Sequence, residues 1–200
     1  MKILAVYGST QQESQSLKLA DLMIPAAEQQ GASVQRWDLL AKPLPVFRTD
    51  QDFSQDANVQ SIRQASAEAD AFILISPEYH GCMSAWLKNF FDFHYHEFAG
   101  KLFAVAATTG GSMGISCNTQ MRLAIQHCHG WVLPYHTATR PDDFDAQGQL
   151  QNAKVRDRLE RMARDLVVYG QLLHGQFAND RQAAKEQESS SAYGFAAWSK

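Results

Sequence analysis

Ala71-Phe72-Ile73-Leu74-Ile75 is apolar at every position and shows no period-2 alternation. A strand with one solvated face would alternate, so this run reads as a strand covered on both faces. Ile3-Leu4-Ala5-Val6-Tyr7 and Leu102 to Ala107 have the same character. Val34 to Leu40 and the short Trp131-Val132-Leu133 complete a set of five strand candidates.

The segments between them carry helical spacing. Ser14 or Ser16 can cap a helix whose apolar positions are Leu17, Leu19, Ala20, Leu22, Met23 and Ala27, with Gly31 as its stop. Val59 to Ala69, Ser84 to Phe93 and about Cys117 to Cys128 read as further helices. Val155 to Leu173 reads as a long amphipathic one, with Leu159, Met162, Ala163, Leu166, Val167 and Tyr169 on one face. Strands alternating with helices imply an α/β fold with a parallel sheet covered on both sides. Five strands favour a flavodoxin-like three-layer sandwich with strand order 2-1-3-4-5. The domain is expected to span residues 1–175. Residues 176–200 shift to Gln, Ala, Lys, Glu and Ser, and end in an aromatic stretch from Tyr193 to Trp198. They read as a tail that is flexible, notably at Ser189-Ser190-Ser191, or that docks on a partner subunit.

Composition narrows the partners. Lys plus Arg total 18 against 21 Asp plus Glu, a net charge of −3, so the basic excess of a nucleic-acid binder is missing. No stretch approaches the roughly 18 apolar residues of a membrane span. The opening MKILAVYGST is too short an apolar run for a signal peptide. Three cysteines without CxxC spacing suit a reduced compartment, so a cytoplasmic protein is expected. His94-Tyr95-His96 and His127-Cys128-His129 are dense in donors but match no zinc spacing, and no metal is assigned.

In this topology a ligand sits outside the carboxyl ends of the strands, at the switch point, on the loops after strands one, three and four. The first loop, Gly8-Ser9-Thr10-Gln11-Gln12-Glu13-Ser14-Gln15-Ser16, leads into a helix N-terminus, where free N–H groups favour an anion. Its hydroxyls suit a phosphate monoester, and it is neither GxGxxG nor a P-loop. The second, Ser76-Pro77-Glu78-Tyr79-His80-Gly81, can offer backbone groups to the edge of a flat heterocycle. The third, Thr108-Thr109-Gly110-Gly111-Ser112-Met113-Gly114, holds three glycines against which a planar ring can lie. Each loop alone also fits an ordinary turn.

Together these segments resemble the NADPH-dependent FMN reductases, a flavodoxin-like group that includes quinone, chromate and azo-dye reductases. Ser76-Pro77-Glu78-Tyr79-His80-Gly81 with Ala85-Trp86-Leu87-Lys88-Asn89-Phe90-Phe91-Asp92 is similar to the group's PEYN and LKN-x-x-D stretch. Gly8-Ser9 with Ser14 and Ser16 resembles its GS-x-R-x-x-S-x-N loop, Thr108-Thr109-Gly110-Gly111 its S-x-G-G turn, and Leu40 to Val46 its PLP segment. Three positions depart: Gln11 replaces a phosphate-facing Arg, Ser16 replaces Asn, and His80 replaces the Asn of PEYN. Losing the Arg removes a charge-assisted bond worth about 1.5–3 kcal/mol.

The resemblance implies hydride transfer from NADPH or NADH through FMN to an acceptor such as a quinone, an azo compound, chromate or free flavin. The chemistry then resides on flavin N5, with no catalytic side chain required. Ser9, Ser14 and Ser16 would hold the phosphate with help from Gln11. Pro77, Glu78, Tyr79, His80 and Gly81 would line the ring edge, with Tyr79 and His80 bounding the acceptor side. Thr109, Gly110 and Gly111 would pack near the other side. The resemblance also implies a homodimer or homotetramer, for which the helix carrying Trp86, Phe90, Phe91 and Phe93 offers an apolar surface or a core contribution. Two other functions stay open: a flavodoxin-like electron carrier, and a flavin-free binding module motivated by Gln11 and His80.

Overall fold

The structure, a computed structural model, describes residues 1–185 and 194–197. In chain order it contains β1 (Lys2–Tyr7), α1 (Gln15–Glu28), β2 (Ser33–Asp38), α2 (Ala57–Glu68), β3 (Ala71–Tyr79), β4 (Cys82–Met83), α3 (Ala85–Asp92), β5 (Leu102–Thr108), α4 (Ile115–His127), β6 (Trp131–Val132), β7 (Thr137–Thr139) and α5 (Ala153–Lys185). The sheet runs β2-β1-β3-β5-β6, with β7 also on β5 and all of these pairs parallel. This is the expected 2-1-3-4-5 order with two elaborations.

The first concerns the last strand, which is split. Trp131 pairs with Leu102 at the start of β5, and Thr137 pairs with Ala106 near its end. Pro134 lies between, and proline cannot donate to a ladder. The second concerns β3, which was expected to stop at Ser76-Pro77 but continues to Tyr79 and folds back as an antiparallel hairpin with β4. Pro77 stays in register with Thr108 of β5, while the β1 ladder has already ended at Tyr7 and Ile75. The missing N–H faces that vacated side, so no ladder bond is lost.

The unbroken apolar strands serve two cores. Ile3, Ala5, Ile73, Ile75 and Ala104 face α1 and α5, meeting Leu19, Met23, Leu159, Met162 and Leu166. Leu4, Val6, Phe72, Leu74, Phe103 and Val105 face the other helices, meeting Ile62, Leu87, Phe90, Met121 and Ile125. The second core is the aromatic one: Phe72 and Phe103 stack with centroids 4.5 Å apart. Phe90, Phe91 and Phe93 are buried within the chain, so most of the apolar set on α3 contributes to its own interior. His94 is also interior, stacked on Phe98, with its Nδ1 2.6 Å from the Phe90 carbonyl.

The last helix is longer than its Val155–Leu173 expectation and continues to Lys185. Phe177 explains the extension. It is buried against Ala99 and Ala196, and its ring fills the space a side chain on Gly100 would need. Phe195 packs 5.2 Å from Phe177, so part of the aromatic C-terminal stretch contacts its own chain. Ser189-Ser190-Ser191, Tyr193 and Trp198 lie outside the described residues.

Candidate flavin site at the carboxyl edge of the sheet

Gly8 anchors the loop after β1. Its N–H donates to the Ile75 carbonyl at 3.0 Å. A Cβ there would stand 2.7 Å from Ser84 Oγ and 2.8 Å from Leu87 Cβ, so only glycine lets the loop approach α3. Ser84 in turn caps α3 by accepting from the Leu87 N–H at 3.2 Å, and its own N–H donates to Ser76 Oγ at 2.9 Å.

The serines divide into distinct tasks. Ser14 is the N-cap of α1, accepting from the Leu17 N–H at 3.1 Å. The first-turn N–H groups of Gln15 and Ser16 have no carbonyl one turn behind them. Ser9 Oγ accepts from the Gln11 N–H at 3.2 Å. Ser16 is buried, and its hydroxyl meets Thr108 Oγ1 at 3.2 Å, tying α1 to the end of β5.

The hairpin after β3 turns at His80 and Gly81, with φ of 52° and 77°. Two successive positive φ values mark a primed turn, which glycine accepts freely and histidine at a small cost. His80 is exposed. Tyr79 reaches back across the mouth, its hydroxyl 3.2 Å from Thr10 Oγ1. The Glu78 carboxylate accepts from Ser112 Oγ and, at 3.1 Å, from the Cys117 N–H at the start of α4. Glu78 therefore braces the hairpin against the glycine loop. Thr109 Oγ1 donates to the Ser112 carbonyl at 2.8 Å, and the Thr109 N–H to the Thr139 carbonyl at 2.8 Å. Burial pushes the Cys117 thiol up to about 12, so this sulfur below the loops is no nucleophile.

These loops enclose a cavity of about 390 Å³. Ser9, Gln11, Ser14, Pro77, Glu78, Tyr79, Thr109 and Gly110 line it, whereas Ser16, His80, Gly81 and Gly111 stand outside its lining. A larger concavity of about 700 Å³ lies between α1 and α5, away from the strand ends. Glu13, Lys18, Thr108 and Pro141 also line the smaller cavity and were not singled out in the sequence. Lys18 had a readable signal: it follows Ser14 by four residues, so both lie on one side of the first turns of α1. Among the described residues that line the cavity, Lys18 is the single cation, with Glu13 and Glu78 as the acidic residues of the same lining; its ammonium lies over the Phe144 ring, 5.5 Å from the centroid.

Residues 1–145 match the family described as NADPH-dependent FMN reductase. The chain belongs to this family. It is an oxidoreductase of the kind that uses FMN and NAD(P)H, on a flavodoxin-like fold. The chain is 28% identical over 176 residues to the NADPH-dependent FMN reductase ArsH of Rhizobium meliloti, covering 84% of this chain and 71% of that protein. It is 28% identical over 149 residues to the FMN-dependent NADPH-azoreductase of Staphylococcus saprophyticus (72% and 79% covered). It is 26% identical over 190 residues to the NADPH:quinone oxidoreductase of Arabidopsis thaliana (88% and 94% covered). The fold is similar to that of FerB, an NAD(P)H:(acceptor) oxidoreductase from Paracoccus denitrificans, with a TM-score of 0.70 at 20% identity, covering 86% of this chain and 98% of that one. An archaeal flavodoxin shares it at a TM-score of 0.60 and 16% identity, covering 86% and 99%.

Proposed function

We propose that this chain oxidises NAD(P)H and delivers the hydride, by way of FMN, to a small-molecule acceptor such as a quinone, an azo compound, chromate or free flavin. The observation that carries the reading is the convergence of three strand-end loops on one cavity that includes a helix N-terminus. The donor set fits FMN. Ser9, Ser14 and the first-turn N–H groups of α1 suit a phosphate, with Gln11 as a neutral donor in place of the family's Arg. Gly110 has open space where a Cβ would stand, leaving room for a ring. FMN, when bound, supplies the capacity to take up and pass on a hydride.

The chain's own residues then bind and orient. Pro77, Glu78 and Tyr79 would line the ring edge, and Thr109 and Gly110 would flank its other side, with His80, Gly81 and Gly111 in the turns just outside the lining. Tyr79 and His80, both exposed, border the side an acceptor would enter. Ser16 acts through Thr108, fixing α1 against the sheet. We assign the protein to the cytoplasm and expect a homodimer or homotetramer. Among the described residues no helix is long and apolar enough to cross a membrane.

A visible spectrum of the purified protein, taken after FMN addition and dialysis and again after anaerobic NADPH, tests this. Flavin bands that persist and bleach are expected. Flavin that binds but resists both NADPH and NADH makes the protein an electron carrier. A protein that retains no flavin makes it a binding module.

A further inference from the structure

A second pocket, of about 330 Å³, adjoins the first and differs from it in charge. Its lining includes His136, Arg140, Lys154 and Arg158, in a chain whose net charge is −3. The single carboxylate in that lining, Asp143, is already engaged: it accepts from the Arg140 backbone N–H at 2.8 Å and from Asn152 Nδ2 at 2.7 Å. No described carboxylate forms an ion pair with the side chains of Arg140, Lys154 or Arg158. Arg158 instead lies over the Tyr135 ring, 5.7 Å from its centroid. Burial and the nearby Arg122 and Arg158 hold His136 below the ordinary imidazole value, as expected where positive charge is concentrated without a counter-ion.

A second observation points the same way. The pocket lies at the N-terminus of the long helix α5, where Asn152 Oδ1 accepts from the Val155 N–H at 3.4 Å. The first-turn N–H groups of Ala153 and Lys154 have no carbonyl behind them, and the positive end of the helix dipole adds to the side-chain charge. Three formal cations and a helix N-terminus suit a dianionic monoester better than a singly charged diester.

Position identifies the ligand. Ser112 of the glycine loop lines this pocket while Thr109 and Gly110 of the same loop line the flavin cavity. Arg140 lines one and its neighbour Pro141 the other, so the two spaces share a wall. We propose that the pocket formed by Arg140, Lys154 and Arg158 at the start of α5 binds the 2′-phosphate of NADPH. This deepens the functional reading above and rests on it. A phosphate monoester is the one group that distinguishes NADPH from NADH, so these residues set the preference between them.

The test uses FMN-loaded protein and calorimetric titration with 2′,5′-ADP and with 5′-AMP, which lacks only the 2′-phosphate. The wild-type protein is expected to bind 2′,5′-ADP at least about tenfold more tightly, as charge-assisted bonds to a phosphate require. The exposed pair Lys154→Gln with Arg158→Gln is expected to abolish that margin and to raise the KM for NADPH about tenfold more than the KM for NADH. Equal affinity for the two probes, or a margin that survives in the double variant, overturns the inference. An equal rise in both KM values also overturns it, because it points to the pyrophosphate that both nucleotides share. Failure to oxidise either nucleotide sinks the functional reading instead, and the titration with 2′,5′-ADP still decides this one.

Discussion

Two adjoining spaces at one edge of the sheet, both proposed here to take anions, differ in how they would hold them. On the proposed assignment the flavin cavity would rely on neutral dipoles, the Ser9 and Ser14 hydroxyls and the first-turn N–H groups of α1, with one cation, Lys18, and two acidic residues, Glu13 and Glu78, in its lining. The neighbouring pocket relies on full charges, with Arg140, Lys154 and Arg158 around an Asp143 that is already committed to the backbone turn. Dipoles fixed by packing need no counter-ion and are little affected by salt, whereas exposed charges are screened within a Debye length of about 8–10 Å. The difference suits a cofactor that stays and a nucleotide that must leave each turnover.

The largest effect is expected from Gly8→Val. The new side chain meets Ser84 and Leu87, so α3 or the phosphate loop must move. Stability falls by about 1–3 kcal/mol, the range for overpacking, and flavin is lost on dialysis. Denaturant titration and the visible spectrum check the two parts.

Salt separates the pockets directly. Raising sodium chloride from about 0.05 to about 0.5 M is expected to weaken 2′,5′-ADP binding roughly tenfold and FMN binding less than about threefold. Equal weakening of both ligands would erase the contrast.

A smaller effect is expected from Ser14→Ala, which removes the cap on Leu17 and costs about 1 kcal/mol of stability. FMN affinity falls with it, because the same hydroxyl lines the cavity, and fluorescence titration of FMN measures the loss.

The smallest effect falls to Lys18→Gln. A partly exposed charge contributes about 0–1 kcal/mol, so FMN binding weakens by about fivefold at most, and its residual salt dependence disappears. A loss of a hundredfold would show that Lys18 fully replaces the family's Arg and that the cavity is not a neutral one.

The core and the sheet order were readable because their signals are local. A run such as Ala71–Ile75 is apolar throughout because both its faces are covered, and the helices between strands repeat on their own period. The three loops at the strand ends follow from that order by topology alone. Ser14 was readable as a cap for the same reason, since its bond closes within four residues.

What escaped the sequence depends on partners far along the chain. Ser16, expected at the phosphate, also has a hydroxyl contact with Thr108, ninety-two residues away, that no local pattern announces. Glu78 was read as a ring neighbour, and it also braces Ser112 and Cys117. The extension of α5 to Lys185 depends on Phe177 finding Gly100.

Local apolar patterning, then, specified a doubly covered parallel sheet with polar loops at one edge, because burial on both faces makes each central strand apolar throughout and burial of one face writes a repeat into each helix. Which hydroxyls stay free for a ligand, and that His136, Arg140, Lys154 and Arg158 surround one pocket, came from the folded chain. Those residues belong to a strand end, a turn and a helix start, so no local repeat links them, and only the return of α5 against the sheet sets their charges side by side.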